Sequence, residues 1–255
     1  MRESTLLNGK KLPFYFLISL QFLTCIPTGY KRGYRPDEIE LANSTLFFPA
    51  VGLIIGGIIY LIWLVFSSLS PLIISALILT GWVYMTGGLH LDGFADTIDG
   101  LSGGKSKQEI LDIMKDVHPG AKGTIGIVIL VLIKFALITG IVTSLRLRNL
   151  VYVPVLSRWS MLLGCYLIPY AREQGTARFA NLIGYPQIIG ATLITIISGI
   201  FLIGRAFLIP FISLTGFSLL WALYFKKKIG GFTGDTLGGH IELSEVMALL
   251  VFSFF

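Results

Sequence analysis

Long apolar stretches alternate with short polar ones along almost the whole chain. A helix needs about 20 mostly apolar residues to cross a bilayer. The stretches that approach or reach this length are Thr45–Phe66, Leu69–Met85, Thr124–Leu145, Leu150–Pro169, Ile188–Gly204, Ala206–Phe225 and Leu243–Phe255. None of them alternates apolar and polar residues as a barrel strand does. The pattern therefore predicts transmembrane helices, which satisfy their backbone hydrogen bonds internally in lipid.

A further apolar stretch, Leu12–Ile26, lies near the N-terminus. It follows Lys10 and Lys11 as in a signal peptide, but no small-residue cleavage site comes after it. We expect it to be retained as a partial helix, interfacial or re-entrant. Cys25 and Cys165 both lie in apolar surroundings. Because a free cysteine behaves as a small hydrophobe, we expect neither a disulfide nor a metal site from them.

The composition supports the same fold class. The chain is 54% hydrophobic and 13% charged, with a mean hydropathy of +0.80, whereas a soluble domain carries about 25% charged residues. We therefore predict an all-α, polytopic membrane helix bundle. It has about six to seven transmembrane helices plus interfacial helices on the cytoplasmic face, and forms a single integral membrane domain over residues 1–255.

Basic residues indicate the orientation of this bundle. With the N-terminus inside, fifteen Lys and Arg fall in inside segments and three in outside loops, and Lys134 and Arg158 fall within spans. The inside residues are Arg2, Lys10, Lys11, Lys31, Arg32, Arg35, Lys105, Lys107, Lys115, Lys122, Arg172, Arg178, Lys226, Lys227 and Lys228, and the outside ones are Arg146, Arg148 and Arg205. The positive-inside rule predicts this orientation.

All 14 acidic residues fall on the same inside face. The main polar segments there are an Asp-rich loop at about 87–123, a second loop at about 170–187 and a Gly-rich loop at about 226–242. Since acids contribute little to topology, their segregation indicates a site for a charged cytoplasmic ligand. The inside Lys and Arg account for the sequence pI of about 9.3, and no nucleic-acid-binding motif is present. We predict no nucleic-acid partner.

The Asp-rich loop carries the strongest chemical pattern. Asp92, Asp96 and Asp99 are spaced i, i+4, i+7, which places them on one face if the segment is helical. From Gly87 to Gly104 no basic residue except His90 accompanies them. Mg²⁺ is commonly held by one or two carboxylates plus substrate phosphates, so the pattern predicts a metal–phosphate site. His90 is a general base, a substrate ligand or a helix cap.

The next segment, "EILDIMKDVHPGAKG", predicts an amphipathic helix at the interface. Asp112 and Asp116 are again spaced i, i+4, so they can close around the first Asp cluster. Lys115 and Lys122 can meet phosphates. A surface helix with a solvated face remains the alternative for the charges at its start.

Two later segments add groups of the same kind. Arg172 follows a span, where it either makes bidentate phosphate contacts or anchors the membrane end. The stretch Gly230–Glu245 is rich in glycine, which permits close backbone approach to an anion. It also carries three acids, and acids at a membrane edge indicate function. The acids are Asp235, Glu242 and Glu245.

Acids, glycines and cations on one face fit a reaction that transfers a phosphate-linked group. In such a reaction a hydroxyl attacks phosphorus beside a metal-bound diphosphate. A membrane prenyltransferase would need a second Asp-rich loop, and a CDP-alcohol phosphotransferase would carry DGxxAR, which "DGFADT" departs from. A small-molecule transporter would place its charges near mid-bilayer. We keep all three as alternatives.

Several motifs together resemble the cobalamin synthase family, the adenosylcobinamide-GDP ribazoletransferases. The most specific is "GGLHLDGFADTIDGL". The others are "FLTCIP" (with Cys25 where Arg is common), "FFPAVGLIIG", "DIMKDVHPGAKG", "PYAR" and "GGFTGDTLGGHIELSE", in which Gly239 replaces the usual Ala. The resemblance covers nearly the whole chain.

The resemblance implies a reaction and a bacterial or archaeal cytoplasmic membrane, and with the patterns above it leads to hypotheses about the roles of the residues. The 5′-hydroxyl of α-ribazole or its 5′-phosphate attacks adenosylcobinamide-GDP, GMP leaves, and Mg²⁺ is required. The expected metal ligands are Asp92, Asp96, Asp99, Asp112 and Glu242, and the expected catalytic residues are His90, Asp116 and Asp235. The expected substrate-binding residues are Lys115, Lys122, Arg172, Gly231, Gly234 and Glu245. The other partners are the lipid bilayer and, with the oligomeric state open, a second copy of the chain.

Overall fold

The computed structural model describes residues 9–29, 34–116 and 118–254, and these residues fold into a bundle of α-helices. Arg2, Glu3, Lys31, Arg32 and Phe255 lie outside the described residues. The helices are α1 (Leu12–Leu23), α2 (Glu38–Ser44), α3 (Phe48–Phe66), α4 (Pro71–Thr86), α5 (Leu89–Gly103), α6 (Lys107–Ile113), α7 (Ala121–Thr143), α8 (Leu147–Leu167), α9 (Tyr185–Ile203), α10 (Leu208–Ile229) and α11 (Gly234–Ser253). Short 3₁₀ helices cover Gly9–Lys11, Thr45–Phe47, Arg178–Leu182 and Gly204–Phe207. The all-α prediction is confirmed.

Helix α8 forms the centre of the bundle. Most of its side chains are buried, and α3, α9, α10 and α11 pack around it. Small residues let α3 approach closely: a Cβ on Gly52 would lie 2.5 Å from the carbonyl oxygen of Pro154. Because lipid tails are as apolar as the helices, close backbone packing of this kind is what holds membrane helices together.

Fewer segments qualify as spans than the six to seven predicted. Four helical stretches are long and apolar enough to cross a membrane, or five if the bent pair α4–α5 is one span. The four are Glu38–Phe66, Ala121–Thr143, Leu147–Leu167 and Tyr185–Ile229. The stretch Leu12–Ile26 forms the short helix α1, which is not among them.

The difference from the predicted number has physical reasons. The stretch Tyr185–Ile229 contains two helices, because Trp159 donates to Thr192 on α9 (2.9 Å) and stacks on Phe211 of α10 (4.2 Å between centroids). A continuous helix would separate those two residues by about 28 Å, so the chain turns back between them. Helix α4 alone is only 16 residues long, and α11 carries polar groups that lower its hydropathy.

The polar segments are more helical than their description as loops predicted. Most of the Asp-rich loop is helical, in α5, α6 and the start of α7, and α5 turns by 85° from α4. Gly87 and Gly88 make this turn with φ of 61° and 70°, a conformation that glycine adopts without strain. Only residues 230–233 of the Gly-rich loop lie outside a helix. Because α5 follows a sharp bend and carries three Asp, we treat it as lying outside the spans.

Candidate functional site

The site is built where α5 crosses α11. A Cβ on Gly93 would lie 2.9 Å from the Asp235 carbonyl oxygen, and one on Gly238 would lie 3.1 Å from the His90 carbonyl oxygen. Both contacts are with backbone, so only glycine allows the two helices to come this close. The crossing brings Asp92 and Asp96 of α5 into electrostatic range of Asp235 on α11. The structure therefore unites two motifs that lie more than a hundred residues apart.

A cation already faces this acid cluster. Arg172 donates to the Asp235 carboxylate at 2.7 Å, and Thr233 donates to the same oxygen at 3.3 Å. The Nε of Arg172 is buried and has no hydrogen-bond partner among the described residues. Arg172 and Asp235, which the sequence analysis assigned separately to substrate binding and catalysis, are thus in direct contact.

Burial and the repulsion between neighbouring carboxylates disfavour ionisation in this cluster. Burial, followed by the carboxylates of Asp92, Asp235 and Asp99, raises the pKa of Asp96 to about 6 against the opposing effect of Arg172. Burial likewise raises the pKa of Asp235, against the opposing effect of Arg172. Among the described residues, no group of three or more His, Cys, Asp or Glu is arranged to hold a metal ion. Asp92 and Asp96 fit a site that substrate phosphates would complete.

Asp99 holds the start of α7 in place. Its Oδ2 accepts a hydrogen bond from the backbone N–H of Gly120 and its Oδ1 one from that of Gly123, each at 2.8 Å. A carboxylate at a helix N-terminus satisfies unpaired N–H groups and interacts favourably with the helix dipole. The structure gives Asp99 this anchoring contact, which the i, i+7 spacing did not reveal.

His90 is buried in the wall of the site. Its side chain is 4% exposed, and its Nδ1 has no hydrogen-bond partner among the described residues. Burial, together with the nearby Arg158 guanidinium, lowers the pKa of His90 to about 3. The imidazole is therefore neutral near pH 7 and a weak proton acceptor.

The residues predicted on and after α6 lie mainly on the surface. Asp112 is exposed and accepts a hydrogen bond from Gln108 on its own helix, so the structure does not bring it to the Asp cluster. Asp116 pairs with His118, whose backbone and side-chain hydrogen bonds lower the pKa of the carboxyl. Lys122 donates to the Ser102 carbonyl at 3.1 Å.

The glycines of the C-terminal motif have different surroundings. Gly231 packs directly on the carbonyl of Pro169, beside an isolated β-bridge between Tyr170 and Phe232. This contact fixes the segment that carries Arg172. Gly234 begins α11 with open space around it, the nearest atom to its Cβ position being the Ala177 methyl at 3.9 Å.

Glu242 and Glu245 belong to a buried charge network rather than to the acid cluster. Lys134 on α7 donates to Glu242 at 2.8 Å and to Glu245 at 2.5 Å, and Arg158 on α8 donates to Glu245. The Lys134 ammonium also lies 5.0 Å from the Trp82 ring. The sequence analysis expected Glu242 as a metal ligand and Glu245 as a substrate ligand, and the structure brings neither carboxylate to the cluster of Asp92, Asp96 and Asp235. The sequence signal for this network was a charged residue inside each of two apolar spans, Lys134 and Arg158. The sequence analysis assigned these two residues no role.

Two cavities flank the Arg172–Asp235 pair. On the Asp235 side, a mostly apolar cavity of about 170 Å³ is lined by His90, Asp92 and a set of aromatic and aliphatic side chains. On the Arg172 side, a polar groove of about 710 Å³ is lined by Lys107, Lys115, Arg172 and their neighbours. The ion pair thus stands between an apolar and a cationic compartment.

This geometry defines a membrane-associated helical protein with a polar site of acids and cations at one end of its bundle. The chain belongs to the cobalamin-5-phosphate synthase family, whose family model matches residues 15–253. It is 38% identical to an adenosylcobinamide-GDP ribazoletransferase of Acinetobacter baumannii, over 93% of this chain and 96% of the relative. Relatives of the same name from Desulfitobacterium hafniense and Fusobacterium nucleatum are each 35% identical, over 91% and 93% of this chain and 94% and 96% of their own lengths. No solved structure matches the chain.

Proposed function

We propose that this protein is an adenosylcobinamide-GDP ribazoletransferase. It joins α-ribazole, or its 5′-phosphate, to adenosylcobinamide-GDP and releases GMP, a late step of cobalamin biosynthesis. The observation that carries the proposal is the glycine crossing of α5 and α11, which places Asp92 and Asp96 beside the Arg172–Asp235 pair. The family membership and the names of the relatives support the same reaction.

The reaction forms one bond to phosphorus and breaks another. The nucleoside 5′-oxygen attacks the phosphorus next to cobinamide, the bridging P–O bond of the diphosphate breaks, and its electron pair leaves with GMP. The hydroxyl proton passes to a base. Asp235 is better suited to accept it than His90, because burial raises the pKa of Asp235 whereas that of His90 is only about 3. Asp116 is exposed and its pKa is lowered, so we assign it no proton transfer.

The polar groove suits the diphosphate and its nucleotide. Lys107 and Lys115 line it together with Arg172, and each can neutralise phosphate charge. Asp92 and Asp96, in electrostatic range of the Arg172–Asp235 pair, would hold Mg²⁺. The ion would supply charge neutralisation of the diphosphate as GMP leaves.

We place the site at the cytoplasmic face of the cytoplasmic membrane. The positive-inside distribution of Lys and Arg supports this placement, and both substrates carry groups too polar to approach from within lipid. The bilayer is then a structural partner of the protein.

The first experiment uses the purified chain in liposomes with adenosylcobinamide-GDP, α-ribazole and Mg²⁺. Chromatography follows GMP and the corrinoid product, with and without EDTA. We expect both products to appear together and EDTA to abolish them. Asp92→Asn and Asp96→Asn should raise the Mg²⁺ concentration for half-maximal rate at least about tenfold, whereas Glu38→Gln, at an exposed ion pair, should not. Full turnover by both Asp variants at limiting Mg²⁺ would refute the metal assignment, and no product from the wild type would refute the function.

A further inference from the structure

The apolar cavity beside Asp235 has features of a ligand pocket rather than a packing defect. Phe22, Phe48 and Phe179 line it, and Phe22 and Phe179 meet edge to face with 5.3 Å between centroids. Its volume of about 170 Å³ is close to the roughly 150 Å³ of an apolar protein cavity that binds benzene. A small flat aromatic group is therefore the right size and chemistry for it.

The cavity is not uniformly apolar, and its polar groups point to a ligand with a polar end. His90 lines it with a side chain more than nine-tenths buried, and the Nδ1 of that ring lacks a hydrogen-bond partner within the described part of the chain. Leaving a buried polar atom unpaired is energetically unfavourable. Asp92 and Asp235 also line the cavity, and a ligand that carries a hydroxyl group can donate a hydrogen bond to either carboxylate.

We propose that this cavity binds the aromatic base of α-ribazole, a ribonucleoside of a benzimidazole. This inference rests on the proposed function and adds the position of the second substrate. With the base among Phe22, Phe48 and Phe179, the ribose extends toward Asp92 and Asp235, which line the same cavity. Its 5′-hydroxyl then meets the diphosphate held across the ion pair by Arg172.

The other parts of the two substrates fit this cavity poorly. The corrinoid ring is several times larger than the cavity, and guanine would bury more hydrogen-bonding groups than His90 and the two acids can satisfy. An acyl chain is the remaining apolar occupant, and the test below distinguishes it.

The test fills part of the cavity by replacing one small side chain in its wall with a larger one. Ala177 is buried in its wall, so Ala177→Leu should raise the KM for α-ribazole about tenfold or more, the scale of a misplaced methylene in a pocket. The KM for adenosylcobinamide-GDP should change less than about twofold. The riboside of unsubstituted benzimidazole should be impaired less than that of 5,6-dimethylbenzimidazole, because it is smaller. Ala136→Leu, on an exposed position of α7, is the matched control and should behave as wild type.

A second variant covers the case in which Ala177→Leu does not fold. Phe22→Leu enlarges the cavity and removes an aromatic contact, so equilibrium dialysis with labelled α-ribazole should show weaker binding. Bulkier bases such as naphthimidazole should lose less affinity than dimethylbenzimidazole. Binding of α-ribazole that is unaltered in Phe22→Leu would overturn the inference.

The outcomes separate this inference from the function it rests on. No GMP release by the wild type with any ribazole refutes the function itself. An active wild type, with neither KM nor base preference altered in folded Ala177→Leu, overturns the cavity assignment and leaves the function intact. A copurified lipid that mass spectrometry finds bound, and that α-ribazole does not displace, overturns it as well.

Discussion

Glu245 is a residue for which a structural role and a substrate-binding role predict clearly different experimental results. The sequence assigned it to substrate binding, whereas the structure places its carboxylate, 1% exposed, between Lys134 and Arg158. The perturbation is Glu245→Ala. It removes the carboxylate partner of Arg158 and one of the two carboxylate partners of Lys134, which keeps Glu242.

The size of the effect follows from burial. The side chain of Arg158 is 0% exposed and that of Lys134 is 3% exposed, so water cannot replace the lost carboxylate. Breaking a buried ion pair by removing one partner destabilises a protein by about 3–5 kcal/mol, because a buried charge is left uncompensated. The Nε and Nη2 of Arg158 already lack hydrogen-bond partners among the described residues. We therefore do not expect the guanidinium to find another acceptor in place of the lost carboxylate.

The assay is reversible unfolding in detergent micelles, followed by circular dichroism, with turnover measured on the folded fraction. We expect a loss of about 3–5 kcal/mol in the free energy of unfolding. The KM for either substrate, measured on protein that remains folded, should stay within about twofold. Glu38→Ala is the matched control, because it breaks an ion pair with Arg178 in which both side chains are about half exposed. Such pairs contribute about 0–1 kcal/mol.

One result would refute this reasoning. If Glu245→Ala unfolded like the wild type and raised the KM for a substrate about tenfold or more, the carboxylate would be a ligand contact. The buried network would then not hold the bundle together.

Three further predictions concern the crossing and the anchors around it. Gly93→Ala should lower turnover at least about tenfold, because the added Cβ meets the backbone of Asp235 and pushes the acids apart. Gly140→Ala on α7 is the control. It has open space around it, so the free energy of unfolding should stay unchanged or rise by up to about 1 kcal/mol. Asp99→Ala should lower the free energy of unfolding by about 2–4 kcal/mol, because two charge-assisted hydrogen bonds are lost. Hydrogen exchange should then show early opening of the first turn of α7. Lys122→Ala removes one exposed hydrogen bond, so we expect a loss below about 1 kcal/mol by chemical denaturation, and a larger loss would contradict it.

The sequence by itself determined the fold class, the bundle of apolar helices and the motifs that carry the site. Helix periodicity and hydropathy are local properties, so they can be counted along the chain. The i, i+4 spacing of Asp92 and Asp96 placed these two acids on one helix face, and α5 is helical over both. The glycines around Asp235 indicated close backbone approach to an anion, whereas in the structure Gly231 and Gly238 approach neighbouring backbone. The family resemblance rested on the same local motifs.

Only the tertiary structure decided which charge meets which. The sequence analysis expected Asp99 and Glu242 to be metal ligands. In the structure Asp99 accepts hydrogen bonds from the first turn of α7, and Glu242 pairs with Lys134. Glu242 and Lys134 lie 108 residues apart, and nothing local encodes their pairing. The pairing depends on how α11 packs against α7 and α8. Buried charges have no water to solvate them, so they pair with the groups that packing brings within reach.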